Sequence, residues 1–97
     1  MDRPVIAVVD DDDAGLRALT RELEGRYGAH YRIMSHVTPQ EALAELERLR
    51  GEGAEVALVM ADQWMPEMAG AEFLAQVREL HPAARRGELL SGDERPP

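Results

Sequence analysis

The apolar positions of the chain fall into short unbroken runs separated by longer stretches with helical spacing. Residues 4–9, PVIAVV, are a continuous β-branched run of the kind that forms a strand buried on both faces. Four aspartates end it. From Asp13 the pattern changes: Leu16, Leu19, Thr20, Leu23 and Tyr27 return at the spacing of one helix face. Asp12 or Asp13 suits the N-cap and Gly28 a stop. YRIMSHV, 31–37, is a second, shorter strand. In TPQE, 38–41, Thr38 is placed to cap, Pro39 to occupy the first helical position and Glu41 to close a capping box. Ala42, Leu43, Leu46 and Leu49 carry that helix to a stop near Gly51–Gly53. VALVMA, 56–61, is another buried strand. A third helix from about Ala69 places Phe73, Leu74, Val77 and Leu80 on one face before Pro82. RRGELLSG suggests a fourth strand at about 87–91, and DERPP, 93–97, a disordered tail.

Strands alternating with helices of this length imply right-handed crossovers and an α/β fold. The expected architecture is a doubly wound parallel sheet with helices on both faces. The 97 residues suit one domain, and their 44% apolar content allows a modest core. A formal charge of −8 disfavours nucleic acid and anionic membrane surfaces and favours a cation or a basic partner patch. Without cysteine there are no disulfides or thiolate metal sites. No apolar run approaches the ~20 residues of a membrane span, and the acidic flank of the first run is unlike a signal peptide. These features point to a cytoplasmic protein. All eleven basic residues are arginine, so no lysine is present for a P-loop or a Schiff base.

Candidate chemistry lies where strands end in acid. Ligands of open parallel sheets sit at the carboxyl ends of the strands, where the strand order reverses. The first strand ends in Asp10 and Asp11, the third in Asp62. If those strands are neighbours, three carboxylates meet, an arrangement that a cation would stabilise. Hard oxygen donors at a shallow rim suit Mg2+, which keeps several of its waters. Asp62 beside such an ion is a candidate nucleophile towards a phosphoryl group.

VVDDDDAGLRAL, LVMADQWMPEMAG and LLSG together resemble the receiver domain of two-component response regulators, over residues 4 to about 92. The pattern Asp-x-x-Met-Pro-x-Met-x-Gly stands in full from Asp62 to Gly70. The resemblance implies a flavodoxin-like strand order 2-1-3-4, with a receiver domain over 1–92. It makes Asp62 the phosphoacceptor for a histidine kinase. It also implies Mg2+ held by Asp10, Asp11, Asp62 and the backbone carbonyl of Trp64, with the Ser91 hydroxyl on the phosphoryl oxygens. The Trp64 indole would border the path of the water that hydrolyses the acyl phosphate and slow that reaction.

The chain departs from the receiver pattern in lacking the fifth strand, with its terminal Lys, and the flanking helices. It therefore resembles a C-terminally shortened receiver. Two further readings follow. One is a degenerate receiver that acts as a phosphorylation-independent interaction module or persists as a non-functional remnant. The other is a phosphatase of the haloacid-dehalogenase type, which needs its nucleophile after the first strand and a downstream Lys, and fits poorly. The receiver reading leaves one sheet face half covered and one edge open, so either self-association through that face or edge or marginal stability is expected.

Overall fold

The computed structural model of the chain describes residues 3–89. It contains β1 (Val5–Val9), α1 (Asp13–Tyr27), β2 (Arg32–His36), α2 (Pro39–Gly51), β3 (Val56–Asp62), α3 (Gly70–Leu80) and β4 (Arg85–Leu89). The strands form one parallel sheet in the order β2-β1-β3-β4, the doubly wound α/β arrangement expected from the alternation of spacings.

β1 is buried along its whole length, as an apolar strand must be when neighbours flank it and helices cover both faces. Val5, Ala7 and Val9 point to one side, where Ala42, Leu46 and Leu49 of α2 and Phe73 and Val77 of α3 complete the larger core. Ile6 and Val8 point to the other and meet Leu16 of α1, with Leu19 and Leu23 half-buried around them.

The helix ends follow local chemistry. Thr38 is extended, and its hydroxyl accepts the Glu41 amide hydrogen at 3.2 Å, with Pro39 inside the first turn. Asp12 is the N-cap of α1, but its side chain makes no capping bond. Instead its amide donates to Asp10 Oδ1 at 3.0 Å. Gly28 closes α1 in the right-handed region, not the left-handed one common at helix stops. Glu22 and Arg26, one turn apart on α1, form an exposed ion pair at 3.4 Å.

β4 begins two residues earlier than the expected 87. The apolar pattern hides this start, because Arg85 and Arg86 are exposed charges drawn into the sheet by register with Leu58 and Val59 of β3. The remainder of the expected strand, with Ser91 and the 93–97 tail, lies outside the described residues.

One irregularity decides which way the third strand faces. Val5 pairs with Val56 and Ile6 with Leu58, so Ala57 is an extra residue on β3. Val56, Val59 and Ala61 all join the α2/α3 core, while Leu58 and Met60 join the α1 side. Positions 56 and 59 could not share a face under strict alternation. The bulge shifts the phase of everything after it.

Candidate metal centre

The carboxyl ends of β1 and β3 are adjacent and in step. Val8 pairs with Met60 and Val9 with Ala61, so Asp10 and Asp62 follow at the same level. Both stand in phase with Ile6, Val8, Leu58 and Met60, on the α1 side of the sheet. The Asp10 amide donates to the His36 carbonyl at 3.2 Å, extending the β1–β2 ladder one residue past the strand. Its Oδ1 in turn accepts the Asp12 amide. Asp10 is thereby fixed at both ends while Asp11 projects towards solvent.

The result is a cluster in which Asp10, Asp11 and Asp62 each offer a carboxylate oxygen within 4.8 Å of the others. Burial is graded: Asp11 is exposed, Asp10 half-buried and Asp62 only 2% exposed. Unit charges at that separation repel by roughly 3–4 kcal/mol per pair at an effective dielectric of about 20, before solvent and salt screen them. The strain registers at Asp10. Burial raises its carboxyl above the usual range, the Asp12 amide partly offsets that, and the charges of Asp62, Asp11 and Asp12 raise it further.

The donor set fits a hard divalent cation: three carboxylates at a rim, no imidazole and no thiolate. Asp11 and Trp64 line one shallow cavity of about 280 Å3 with Gln63, Met65, Pro66 and Ala69. Trp64 is half-buried there. The four acid-edge residues picked out from the sequence, Asp10, Asp11, Asp62 and Trp64, therefore belong to one place. Ser91 lies outside the described residues.

Sequence reasoning missed what the last residue of the Asp62–Gly70 motif does. A Cβ on Gly70 would lie 2.5 Å from the Asp62 carbonyl oxygen and 3.1 Å from Gln63 Cα. The Gly70 amide donates to the Gln63 carbonyl at 3.1 Å. The first turn of α3 thus packs directly on the backbone that carries Asp62, and only glycine permits that approach. A second feature that sequence reasoning does not reach is the structural role of His81. It is 9% exposed, and its Nε2 donates to the Leu46 carbonyl at 2.8 Å, tying the end of α3 to α2.

Comparison with known proteins agrees with this geometry. The profile of the response regulator receiver domain matches residues 6–86. The chain is 35% identical over 77 residues to the sensor kinase CckA of Brucella abortus, covering 79% of this chain and 8% of that protein. It is also 35% identical over 77 residues to the hydrogenase transcriptional regulatory protein HoxA of Cupriavidus necator, covering 79% of this chain and 14% of that one. The chain spans a small fraction of the length of both relatives. Among solved structures, the receiver domain of nitrogen regulatory protein C superposes with a TM-score of 0.67 at 28% identity, over 91% of this chain and 64% of that one. The strand order and the acid cluster at the carboxyl edge agree with a receiver-type module. The chain belongs to the response regulator receiver domain family of two-component systems. No described helix is long and apolar enough to cross a membrane.

Proposed function

We propose that the chain is a phosphate-accepting receiver that binds Mg2+ at Asp10, Asp11 and Asp62, with the Trp64 carbonyl as a further ligand, and takes a phosphoryl group on Asp62 from a histidine kinase. The observation that carries this reading is the meeting of three carboxylates within 4.8 Å at the carboxyl edge of β1 and β3. Without a cation that cluster is electrostatically costly.

In the transfer, an Asp62 carboxylate oxygen attacks the phosphorus of a phosphohistidine. The P–N bond breaks, the electron pair returns to the imidazole, which takes a proton from solvent, and Asp62 becomes an acyl phosphate. Bound Mg2+ would offset the charge of the acids and of the phosphoryl oxygens. Asp10 and Asp11 hold negative charge at the rim, and the Gly70 contact keeps the Asp62 backbone still during attack. The kinase, as donor, implies a cytoplasmic setting. The relatives named as a sensor kinase and as a transcriptional regulator support signalling by phosphotransfer over a catalytic role for the chain itself.

Trp64 is the only tryptophan and shares a cavity with Asp11, so its emission reports on the site. Titration with Mg2+, followed by beryllofluoride as the phosphoryl mimic, should change the fluorescence in two steps. Asp62→Asn should lose the second. A protein that is folded by circular dichroism yet silent to both additions would overturn the proposal.

A further inference from the structure

The four acids that follow β1 are engaged differently. Asp10 accepts the Asp12 amide, Asp11 meets Asp10 and Asp62 in the cluster, and Asp13 pairs with Arg17 at 2.9 Å. The backbone of Asp12 is fully used: its amide donates to Asp10 Oδ1 at 3.0 Å and its carbonyl accepts the Leu16 amide at 2.8 Å. Its carboxylate has no such employment. It stands at the N-cap of α1 yet makes no capping bond. It forms no ion pair among the described residues, and it is not one of the three carboxylates that meet.

Gly15 shows where that carboxylate is held. A Cβ on residue 15 would lie 2.7 Å from Asp12 Oδ2 and 3.3 Å from Asp12 Cγ. Gly15 has no positive φ, so backbone conformation does not call for glycine there, and within a helix glycine is unfavourable beside alanine. What it supplies is room. The Asp12 side chain lies against the first turn of α1 because residue 15 has no side chain of its own. Gly25, further along the same helix, has no atom in the corresponding space.

We propose that Asp12 is an outer-sphere residue of the metal centre. Seated over Gly15, its carboxylate adds charge to the acid edge and accepts hydrogen bonds from the water shell of the cation without becoming a ligand. The inference rests on Mg2+ binding at Asp10, Asp11 and Asp62 as read above. Asp12 is bonded through its amide to one of those residues and adjoins another in the chain. Its negative charge already bears on the Asp10 carboxyl. Mg2+ keeps several waters, and these need acceptors beyond the direct ligands. Capping α1 is the ordinary use of an aspartate at this position, and the missing capping bond sets that use aside.

The test is Mg2+ titration of the folded 97-residue chain, read by Trp64 fluorescence and, independently of Trp64, by the rise in melting temperature with Mg2+. Asp12→Asn keeps a capable cap residue, so its metal-free melting should be unchanged or slightly higher. Its Mg2+ dissociation constant should rise roughly fivefold at about 20 mM salt and less than about twofold at about 0.5 M, as expected of a charge that acts through water. Asp11→Asn removes a ligand, so it should weaken binding more and keep most of that loss at high salt. Gly15→Ala should change the affinity at least about twofold while Asp12 is present, since the new Cβ must displace its carboxylate. The same change should have no effect in Asp12→Ala. Equal Mg2+ affinity in wild type and Asp12→Asn would overturn the proposal. So would a loss that high salt does not erase, or a Gly15→Ala effect that persists without Asp12. A fall in metal-free melting with Mg2+ affinity intact would return Asp12 to the role of a cap. A wild type that binds no Mg2+ would bring down the metal reading itself, and this inference with it.

Discussion

On the α2/α3 side of the sheet, Val5, Ala7, Val9, Val59 and Ala61 meet Ala42, Leu46, Leu49, Phe73 and Val77, none more than 2% exposed. On the α1 side only Ile6, Val8 and Leu16 are buried among the described residues, and Leu19, Leu23, Ile33, Leu58, Met60 and Leu89 are each left half-covered. Among the described residues, two helices cover one face and a single helix the other. The better-packed face supplies the rigidity, and the looser face supplies surface that can meet something else. The acid cluster draws on both. Its strands are anchored by the first face, while Asp10 and Asp62 stand in phase with the second.

This contrast is open to graded attack. Phe73→Ala removes a fully buried aromatic from the α2/α3 face and should cost about 3–5 kcal/mol. That is a large part of the roughly 5–15 kcal/mol typical of a domain, and urea denaturation will measure it. His81→Leu keeps the volume but loses the bond to the Leu46 carbonyl. A cost of about 1 kcal/mol is expected in the same assay. Leu23→Ala on the α1 face should cost about 1 kcal/mol or less, because that side chain is already half in water. If Leu23→Ala costs as much as Phe73→Ala, the two faces are equivalent and the contrast fails.

The smallest expected effect concerns the acid edge. The Asp10 carboxyl titrates above its ordinary range because burial, Asp62, Asp11 and Asp12 all disfavour its charge. A carboxylate raised in the folded state penalises folding once it is ionised. Metal-free stability should therefore fall as pH climbs through the Asp10 titration and be spared below it. Asp10→Asn should flatten this slope and raise neutral-pH stability by about a few tenths of a kcal/mol, discounted for solvent screening because Asp10 is only half-buried. Thermal melts with and without Mg2+ will show it, with the metal removing the slope in the wild type alone.

Much of this was legible in the residues because it is local or periodic. β1 declares itself through PVIAVV, α2 through Thr38 and Pro39, and the acid edge through strands that end in aspartate. What was hidden depends on neighbours distant in sequence. The start of β4 at Arg85 is set by pairing with Leu58, and no pattern in ARRG reveals it. The burial of His81 depends on a carbonyl thirty-five residues away. The need for Gly70 arises only when α3 closes on Asp62. Motif spacing marks the position without giving that reason.

The extra residue at Ala57 also separates what the strand needs from what the site needs. Val56 and Asp62 stand six positions apart, an even gap that strict alternation would leave on one face, and the bulge alone sends the acid to the face of Asp10. Deleting Ala57 would remove the bulge, restore strict alternation and still leave Asp62 on that face, because every pairing from Ile6–Leu58 onward is unchanged. One residue gained or lost in the turn at 52–55, before the strand begins, leaves that parity untouched as well. The acid edge should therefore survive a change of length both in the turn before the strand and at the bulge within it.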